Sequence, residues 1–388
     1  MKWKYWIASI TDTCNNRCPG CYRVLQDSLS WQSNHMSLLD FKKILELFIR
    51  DGESIDFVGG EPTLNPQFLQ MVKLCVDAGI EVWIYTNLRE FKCRPELAEQ
   101  VLDIGGKITV VGKLNVPNPT DPLQRRFQAR CIGATEKAVD EMWQGLLKLL
   151  SVGFPPGRIG VENLIRSINI DFAPQVYEVG LQKGFFVDLE IPTCPVIAGE
   201  RSFRKWLELF PTKEQILKCI KEVMRINERY GIYPYVPMMP HLTGRNLEGV
   251  GTGCVAFKKG ALLTEANGGV GMCTSGIPLL DVCGRQLNIL KDPLDLIFSH
   301  PDLIARRASC NQRNILSGPC AKCEYWEHCL GGCAAMRETL GILFGSYPLC
   351  YMHEWIPEKE LVKLFRTRKT KEKKMTEERR HDFHLASG

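Results

Sequence analysis

The sequence predicts an α/β fold with parallel strands, followed by a smaller cysteine-rich region. Over the first 235 residues, six strand-like apolar runs alternate with amphipathic helix-like runs joined by short connections. Such repeats give parallel strands with right-handed crossovers that place the helices outside the sheet. The cysteines concentrate in two groups, one at residues 14–21 and one between residues 254 and 350. The alternation fits either a barrel or an open doubly wound sheet.

Apolar runs bounded by turn residues define the strands. The predicted strands are 5–10, 54–58, 81–85, 107–111, 159–164 and 185–191.

The intervening helices show apolar residues at helical spacing together with start and stop signals. Ser37 begins the first helix, Pro66 begins the second, and Gly79 is placed to end the second. A long helix over 212–230 opens with Thr212 and Gln215, the two residues of a capping box. Residues 233–240 are rich in proline, which predicts a linker after this helix.

Length and composition predict a globular cytoplasmic protein of two domains. The chain has 388 residues, of which 45 % are hydrophobic and 24 % charged. No run approaches the roughly eighteen apolar residues of a membrane span, and residues 1–10 read as a first strand rather than a signal peptide. Without a secretory signal, seventeen cysteines favour metal ligation in a reducing compartment over a disulfide framework.

Charge gives little support for nucleic-acid binding. Between Arg366 and His384, eight Lys or Arg and four Asp or Glu account for +4 of the net charge of +5. The rest of the chain therefore has no basic field of its own. We expect residues 356–388 to form a basic polar tail that is partly disordered.

Three cysteines near the start have the spacing C-x3-C-x2-C, at Cys14, Cys18 and Cys21. A structural zinc ion or a closed iron–sulfur cluster takes four protein ligands. Three thiolates on one loop would instead leave one iron of a cubane open to another ligand. The alternatives are a partial zinc site and a redox pair formed by Cys18 and Cys21.

A second motif follows the next predicted strand, where Gly59, Gly60, Glu61 and Pro62 succeed the apolar run 55–58. Glycines permit close backbone approach and positive φ, and backbone carbonyls with a carboxylate suit an ammonium group. With Cys14, Cys18, Cys21 and the aromatic Tyr22, this segment resembles the radical SAM superfamily.

The resemblance implies a partial (β/α)6 barrel, similar to a TIM barrel, over residues 1–235. It also implies a [4Fe–4S] cluster on the three cysteines that binds S-adenosylmethionine (SAM) and reductively cleaves it to a 5′-deoxyadenosyl radical. In such barrels the chemistry lies at the carboxyl ends of the strands. The residues expected at SAM by this resemblance and by strand position are Tyr22, Gly59, Gly60, Glu61, Pro62, Thr86, Asn87, Asn115 and Glu162.

The later cysteines form a second pattern, C-x13-G-x4-C from Cys254 to Cys273 and then C-x2-C-x5-C-x3-C-x16-C from Cys320 to Cys350. This resembles the SPASM extension of radical SAM enzymes and implies a domain at 236–355 that holds two auxiliary [4Fe–4S] clusters. By position, Cys320, Cys323, Cys329 and Cys350 would ligate the outer cluster. Cys254, Cys273 and Cys333 would ligate the inner one.

The fourth ligand of the inner cluster stays open in the sequence. Some relatives carry an extra cysteine shortly after the first, but residues 255–267 contain none. Either the inner cluster keeps a free iron, or Cys283 or Cys310 completes it. A pair of zinc ribbons is the alternative for the whole block, since zinc suits the spacing.

Candidate catalytic residues come from the strand ends. Lys113 follows the fourth strand, Arg166 the fifth, and Glu190 lies in the sixth on the same side as Asp188. Lys113 and Arg166 would contact SAM or substrate, and Glu190 is a candidate acid or base. Residues 114–135, with Arg125, Arg126 and Arg130, are expected to be a long loop over the substrate.

The function predicted is that of a radical SAM oxidoreductase or maturase. It would abstract a hydrogen atom from a carbon of a peptide or small-molecule substrate and use its auxiliary clusters for oxidation or bond formation. We expect a flavodoxin or ferredoxin as the reducing partner, and neither a nucleic acid nor a membrane. Where formylglycine-forming relatives have an aspartate after the cysteine of G-x4-C, this chain has Thr274, which disfavours that reaction.

No N-terminal extension precedes the cluster loop, the loop that carries Cys14, Cys18 and Cys21. The peptide-binding module at the front of many peptide maturases is therefore not expected, which weakens the hypothesis of a peptide substrate. The competing hypotheses are a non-catalytic, multi-cluster electron-transfer protein and a zinc-binding interaction protein.

Overall fold

The computed structural model describes residues 3–21, 34–193, 199–232, 241–243, 260–275 and 277–371. Within these ranges the strands are β1 (Tyr5–Ser9), β2 (Ser54–Val58), β3 (Glu81–Thr86), β4 (Ile108–Lys113), β5 (Ile159–Leu164), β6 (Phe186–Glu190), β7 (His241–Thr243), β8 (Ala261–Thr264) and β9 (Val270–Gly271).

Helices alternate with the first six strands and continue after them. They are α1 (Leu38–Phe48), α2 (Phe68–Asp77), α3 (Arg89–Cys93), α4 (Glu96–Ile104), α5 (Pro122–Ile132), α6 (Glu136–Ser151), α7 (Ala173–Gln182), α8 (Glu200–Leu209), α9 (Lys213–Tyr230), α10 (Leu294–Phe298), α11 (Pro301–Asn311), α12 (Trp326–Cys329), α13 (Ala334–Thr339) and α14 (358–371). None of these helices in the described part of the chain has the length and apolarity to cross a bilayer.

The sheet order decides between the two α/β architectures. Strands β1 to β6 are all parallel and lie side by side in chain order. A doubly wound sheet would reverse its strand order at a switch point. Without a reversal, right-handed crossovers place every connecting helix on one face, which confirms the predicted partial (β/α)6 barrel.

The two faces of this sheet have different chemistry because side chains alternate along each strand. The face toward the helices is apolar, with Trp6, Phe57, Ile84 and Val110 fully buried. Aromatic stacking joins Trp6 and Phe57 through Phe41 of α1. The opposite face carries the ionisable groups of the strands, at Asp56, Glu81, Lys113, Glu162, Asp188 and Glu190.

The predicted helix starts are confirmed at two sites. The Ser37 side chain accepts a hydrogen bond from the Asp40 N–H, and Thr212 and Gln215 form the reciprocal capping box of α9. Residues 114–135 differ from the prediction because α5 occupies much of the expected loop. Asp121 caps this helix, Pro122 occupies its first turn and Gly133 ends it in the left-handed region, a full set of helix boundary signals.

The segment expected to be a second domain contributes to the first sheet. Strand β8 pairs in parallel with β1, and the Trp6 indole donates to the Thr264 hydroxyl at 2.8 Å. Strand β7 pairs antiparallel with β6 at the other edge. The predicted boundary at residue 235 therefore does not end the sheet, and the proline-rich linker itself lies outside the described residues.

The region expected to be a polar tail begins with a packed helix. On α14, Leu361, Val362 and Phe365 are buried, and the Phe365 ring stacks on Phe203 of α8 with 4.5 Å between centroids. The Arg366 guanidinium also pairs with Glu200 of α8. Residues 358–371 are thus part of the folded body.

Candidate iron–sulfur and SAM site

The cluster-loop cysteines follow β1, at the carboxyl edge of the sheet. Cys14, Cys18 and Cys21 are each partly exposed, and a Cys21 N–H to Cys18 carbonyl bond of 3.1 Å closes the turn between two of them. Burial raises the pKa of Cys18 to about 12, and the neighbouring thiols Cys21 and Cys14 add to the rise. The structure thus brings the three predicted ligands together on one loop.

The cluster loop lies directly on the two glycines of the second motif. The Gly60 N–H donates to the Thr11 carbonyl at 2.8 Å, and the Glu61 N–H donates to the Thr13 carbonyl at 2.7 Å. A Cβ at Gly60 would lie 2.0 Å from the Thr13 carbonyl oxygen. Gly59 has φ +120°, and its Cβ would meet Thr11 O at 2.5 Å. Both positions require glycine.

The other side of the loop is held by α5. The Arg17 N–H donates to the Ile132 carbonyl at 3.2 Å, and a Cβ at Gly133 would lie 1.9 Å from the Arg17 carbonyl oxygen. The segment expected to cover the substrate therefore supports the cysteines.

Two arginines fasten the same loop through its carbonyl groups. Arg166 is 1 % exposed, and its Nη1 and Nη2 donate to the carbonyls of Pro19 and Cys131, each at 2.9 Å. Arg89 donates to the Asn15 carbonyl at 2.7 Å and pairs with Glu141 at 2.7 Å. Arg166, predicted to be catalytic, thus has both terminal nitrogens bound to backbone carbonyls, one in the loop and one in α5.

Glu61, predicted to lie at SAM, is held by several hydrogen bonds within the protein. The carboxylate is 1 % exposed. Its Oε1 accepts from the Thr63 and Thr86 hydroxyls at 2.6 and 2.7 Å, and its Oε2 accepts from the Asn87 N–H at 2.6 Å. Burial raises the pKa of Glu61, while these hydrogen bonds lower it. The side chain joins the ends of β2 and β3, which leaves the backbone of Gly59 and Gly60 as the polar surface of the motif.

Asn87 and Thr86 complete this junction. The Asn87 Nδ2 donates to the Asn15 Oδ1 at 2.5 Å, which joins the end of β3 to the cluster loop. Its Oδ1 accepts from the Arg89 N–H at 3.1 Å, and the Thr86 hydroxyl accepts from the Leu88 N–H at 3.0 Å. Pro62, buried, opens a short 3-10 turn behind the motif.

The ends of β4, β5 and β6 carry a row of charges beside the cluster loop. Lys113, Glu162 and Asp188 occupy matching register positions, and the Lys113 ammonium pairs with Glu162. Burial opposes the charge of Lys113, but Glu162 and Glu190 outweigh it and raise the pKa of Lys113. The raised pKa favours the protonated, cationic form of Lys113.

Asn115 lies in a buried amide network behind this row. Its Oδ1 accepts from Asn169 Nδ2 at 3.2 Å, and the same amide donates to Asn163 Oδ1 at 3.1 Å. The Asn115 N–H donates to Gln128 Oε1 at 2.8 Å. Asn115 thus connects β4 to α5 and to the turn after β5.

The four cysteines predicted to ligate the outer auxiliary cluster also lie near one another. Burial raises the pKa of Cys350 to about 12, and the thiols of Cys329, Cys320 and Cys323 act on it in turn. Cys320 is buried and the other three are partly exposed. Burial raises the pKa of Cys329 to about 11 and the thiols of Cys320 and Cys323 add to the rise, while the backbone N–H groups of Gly332 and Gly331 lower it.

Of the cysteines predicted to ligate the inner cluster, Cys254 lies outside the described residues, as does Tyr22, which was predicted to lie at SAM. Cys273 accepts or donates a hydrogen bond with the Ser275 hydroxyl at 2.8 Å, and Cys333 precedes the first turn of α13. Among the described residues, no three His, Cys, Asp or Glu side chains form a group for a single metal ion. The cysteines of a cubane each bind a different iron and surround a larger body.

Sequence reasoning missed the residues that fix the cluster loop. Asn15, Arg89 and Gly133 lie in three separate segments and meet only in the fold. Gly133 follows an amphipathic run and could have been recognised in the sequence as a helix-end signal. The roles of Asn15 and Arg89 left no local signal, since each depends on a partner more than seventy positions away.

A partial barrel with three cysteines on the loop after β1 is the architecture expected of a barrel protein that binds an iron–sulfur cluster. Residues 8–170 match the family model described as Radical SAM superfamily, which identifies this segment of the chain as a radical SAM domain. The superfamily implies a [4Fe–4S] cluster and SAM. No curated protein has a significant sequence match to the chain.

Among solved structures, SuiB of Streptococcus suis bound to S-adenosylmethionine aligns with a TM-score of 0.61 at 15 % identity, over 90 % of this chain and 77 % of SuiB. SuiB bound to its precursor peptide SuiA aligns with a TM-score of 0.61 at 13 % identity, over 89 % of this chain and 75 % of SuiB. At such identities the alignments establish a shared fold.

Proposed function

We propose that this protein is a radical SAM enzyme that abstracts a hydrogen atom from a carbon of a peptide substrate and uses two auxiliary clusters in the oxidation or bond formation that follows. One observation carries the proposal. The three-cysteine loop is held to Gly60 and Glu61 by two backbone hydrogen bonds and joined to β3 through Asn87. The proposed cluster ligands and the proposed SAM backbone site are therefore one structural unit.

The donor set fits the implied group. Cys14, Cys18 and Cys21 would hold a [4Fe–4S] cluster and leave one iron for SAM, and Arg89 and Arg166 each donate to a carbonyl of this loop rather than to its sulfurs. When bound, the cluster and SAM supply an electron and a carbon-centred radical able to take hydrogen from an unactivated carbon. The protein supplies binding, orientation and the exclusion of water.

The protein groups divide into support and contact. Glu61, Thr86, Asn87 and Arg166 hold the loop and the strand ends in place. The backbone carbonyls of Gly59 and Gly60 would receive the amino group of SAM, with Tyr22 near the cluster. The row formed by Lys113, Glu162 and Asp188, with Glu190 beyond it, would bind the polar parts of SAM and substrate. Glu190 is the proposed acid or base.

For the auxiliary clusters, Cys320, Cys323, Cys329 and Cys350 would hold the outer one. Cys254, Cys273 and Cys333 would contribute to the inner one. Their proposed chemistry is the transfer of electrons to and from the barrel site. A low-potential flavodoxin or ferredoxin would be the external reductant.

A peptide substrate is supported by SuiB, whose complex contains the precursor peptide SuiA. A polar small molecule is the second candidate, favoured by the row of charges at the mouth of the barrel, where an ion pair and two further carboxylates face the same side. Thr274 after Cys273 argues against formylglycine formation in either case.

The test is anaerobic reconstitution followed by incubation with SAM and dithionite. The enzyme should form 5′-deoxyadenosine. Cys18→Ala should abolish this product, while Cys93→Ala, at an exposed cysteine on α3, should leave it unchanged. An electron carrier would give iron–sulfur spectra but no 5′-deoxyadenosine, which would refute the proposal.

The substrate class is tested with the products of neighbouring genes. A short peptide from such a gene should raise 5′-deoxyadenosine formation and lose hydrogen, as seen by mass spectrometry. Stimulation by a small metabolite but by no such peptide would replace the peptide by the second candidate.

A further inference from the structure

One peptide group of the cluster loop makes a hydrogen bond at each of its two ends. At the carbonyl end, the Asn15 oxygen accepts from Arg89 Nη1 at 2.7 Å. At the amide end, the Asn16 N–H donates to the Cys14 sulfur at 3.5 Å. The peptide group between Asn15 and Asn16 therefore connects an arginine of α3 to a sulfur that the proposed function assigns to the N-terminal cluster.

The geometry of the peptide bond makes these two contacts depend on each other. A trans peptide group is planar, so its C=O and N–H point in opposite directions from one rigid unit. A donor that fixes the Asn15 carbonyl therefore also fixes the direction of the Asn16 N–H. A charged donor on the oxygen also polarises the peptide group, which strengthens its N–H as a donor to the sulfur.

Arg89 is itself held by contacts on both sides of its guanidinium. Its Nε and Nη2 donate to Glu141 Oε2 of α6 at 2.9 and 2.7 Å, and its Nη1 also donates to the Asn16 side-chain oxygen at 3.2 Å. Asn16 is buried, and the side chains of Arg89 and Glu141 are 18 and 17 % exposed. One planar guanidinium thus connects α6 to two successive residues of the cluster loop.

The backbone before Arg89 has a conformation that leucine rarely adopts. Leu88 has φ +67°, in the left-handed region, and residues held in such conformations concentrate at functional sites. Helix α6 packs on this turn at Gly145, where a Cβ would lie 2.0 Å from the Leu88 carbonyl oxygen. Gly145 and Glu141 are four residues apart and share a face of α6, so the same close approach brings Glu141 to Arg89.

A hydrogen bond to a ligand sulfur changes the redox properties of an iron–sulfur cluster. Such bonds are among the means by which a protein sets the reduction potential of the cluster. The reduced cluster carries one more negative charge than the oxidised one. An N–H directed at a ligand sulfur therefore stabilises the reduced form and raises the potential.

We infer that Arg89 is a positioning residue for the N-terminal cluster: through the peptide group between Asn15 and Asn16 it keeps an N–H directed at the Cys14 sulfur and raises the reduction potential of that cluster. The inference rests on the N-terminal cluster of the proposed function. It goes beyond that function because it assigns control of the potential to a residue that acts through the loop backbone.

The test is an anaerobic redox titration of the reconstituted full chain, followed by the EPR signal of the reduced N-terminal cluster. That signal is identified by its absence from Cys18→Ala. Arg89→Met keeps an unbranched side chain but has no donor, and we expect it to lower the potential. At a fixed potential the ratio of reduced to oxidised cluster should fall about tenfold, which corresponds to about 59 mV for a one-electron couple.

Lys137→Met is the matched control for the loss of a positive charge. Lys137 lies 3.9 Å from the same Glu141 carboxylate at a position that is 86 % exposed, and its loss should leave the potential unchanged. Glu141→Met removes the anchor of Arg89 and should lower the potential. Removal of a negative charge would by itself raise it, so a rise in Glu141→Met would show that Arg89 acts by charge alone and would overturn the positioning role.

A second measurement detects the hydrogen bond to the sulfur. In full chain that carries ¹⁵N-labelled asparagine, pulsed EPR of the reduced cluster should show coupling to the amide nitrogen of Asn16. The coupling is assigned by its loss in Asn16→Ala, where that nitrogen is unlabelled. It should weaken in Arg89→Met and persist in Lys137→Met.

The outcomes separate the inference from the proposed function. An unchanged potential and coupling in Arg89→Met would overturn the inference, as would the absence of an Asn16 coupling in the unmodified protein. If circular dichroism shows that Arg89→Met does not fold, Glu141→Met and the coupling in the unmodified protein decide. Neither measurement requires SAM or substrate, so the expected shifts without formation of 5′-deoxyadenosine would refute the proposed function alone.

Discussion

Replacing Gly60 by alanine should displace the cluster loop from the end of β2. A Cβ at this position would lie 2.0 Å from the Thr13 carbonyl oxygen and 2.9 Å from the Asp12 carbonyl oxygen, whereas ordinary contact begins near 3.4 Å. The two backbone segments must therefore separate by about 1.4 Å. Neither can rotate away as a side chain would, because both obstacles are main-chain atoms.

The expected cost has two parts. Overpacking of this size destabilises a fold by about 1–3 kcal/mol, and weakening of the 2.7 Å bond from the Glu61 N–H to the Thr13 carbonyl adds about 1 kcal/mol. For activity, a displacement of about 1 Å in a reacting geometry costs about 100-fold. We therefore expect the main effect of Gly60→Ala to be the loss of 5′-deoxyadenosine formation, with the loss of stability as the smaller effect.

The matched control is Gly157→Ala, because a Cβ at Gly157 meets nothing within 4 Å. Chemical denaturation of both variants gives the free energies of unfolding, and SAM titration under anaerobic conditions gives the spectral change of the N-terminal cluster. Gly60→Ala should lose stability and most of the SAM response, while Gly157→Ala should match the unmodified protein. Equal behaviour of the two variants would refute the close approach of loop and glycine.

Three further outcomes are expected. Arg166→Met should lower the free energy of unfolding by about 2–4 kcal/mol, since the Pro19 and Cys131 carbonyls lose charge-assisted donors; an unchanged denaturation midpoint would contradict this. Phe365→Ala should cost about 3–5 kcal/mol and the exposed Lys363→Ala almost nothing, and equal midpoints would mean that α14 is not packed on α8. Burial raises the pKa of the Cys18 and Cys333 thiols from 9.0 to about 12, so metal-free protein should be stabilised below pH 9 and lose that stability as the pH rises toward 12. Denaturation curves from pH 8 to 11 measure this loss, and a flat profile would exclude buried neutral thiols.

Much of the fold could be predicted because its signals are local. Each of the six barrel strands was visible as a short apolar run, and Thr212 with Gln215 marked the start of α9. The choice between a barrel and a doubly wound sheet depends on strand order, which no local pattern contains. The same holds for β8, whose pairing with β1 joins residues more than two hundred positions apart.

The site shows the same division more sharply. Cysteine spacing predicted which residues share the loop after β1, because a short loop keeps its own thiols together. It did not predict that Glu61 would bind Thr86 and Asn87, or that Arg166 would bind the cluster loop. A polar side chain takes the partners that burial places around it, and those partners come from other elements.

The sequence alone determined the class of fold and the ligand types, since apolar periodicity and cysteine spacing are properties of neighbouring residues. Only the tertiary structure decided which face of the sheet carries the charges, how the cluster loop is clamped and where Arg89 lies. These features arise from packing between distant segments, where close backbone contacts and buried charges select one arrangement from many that the local sequence permits.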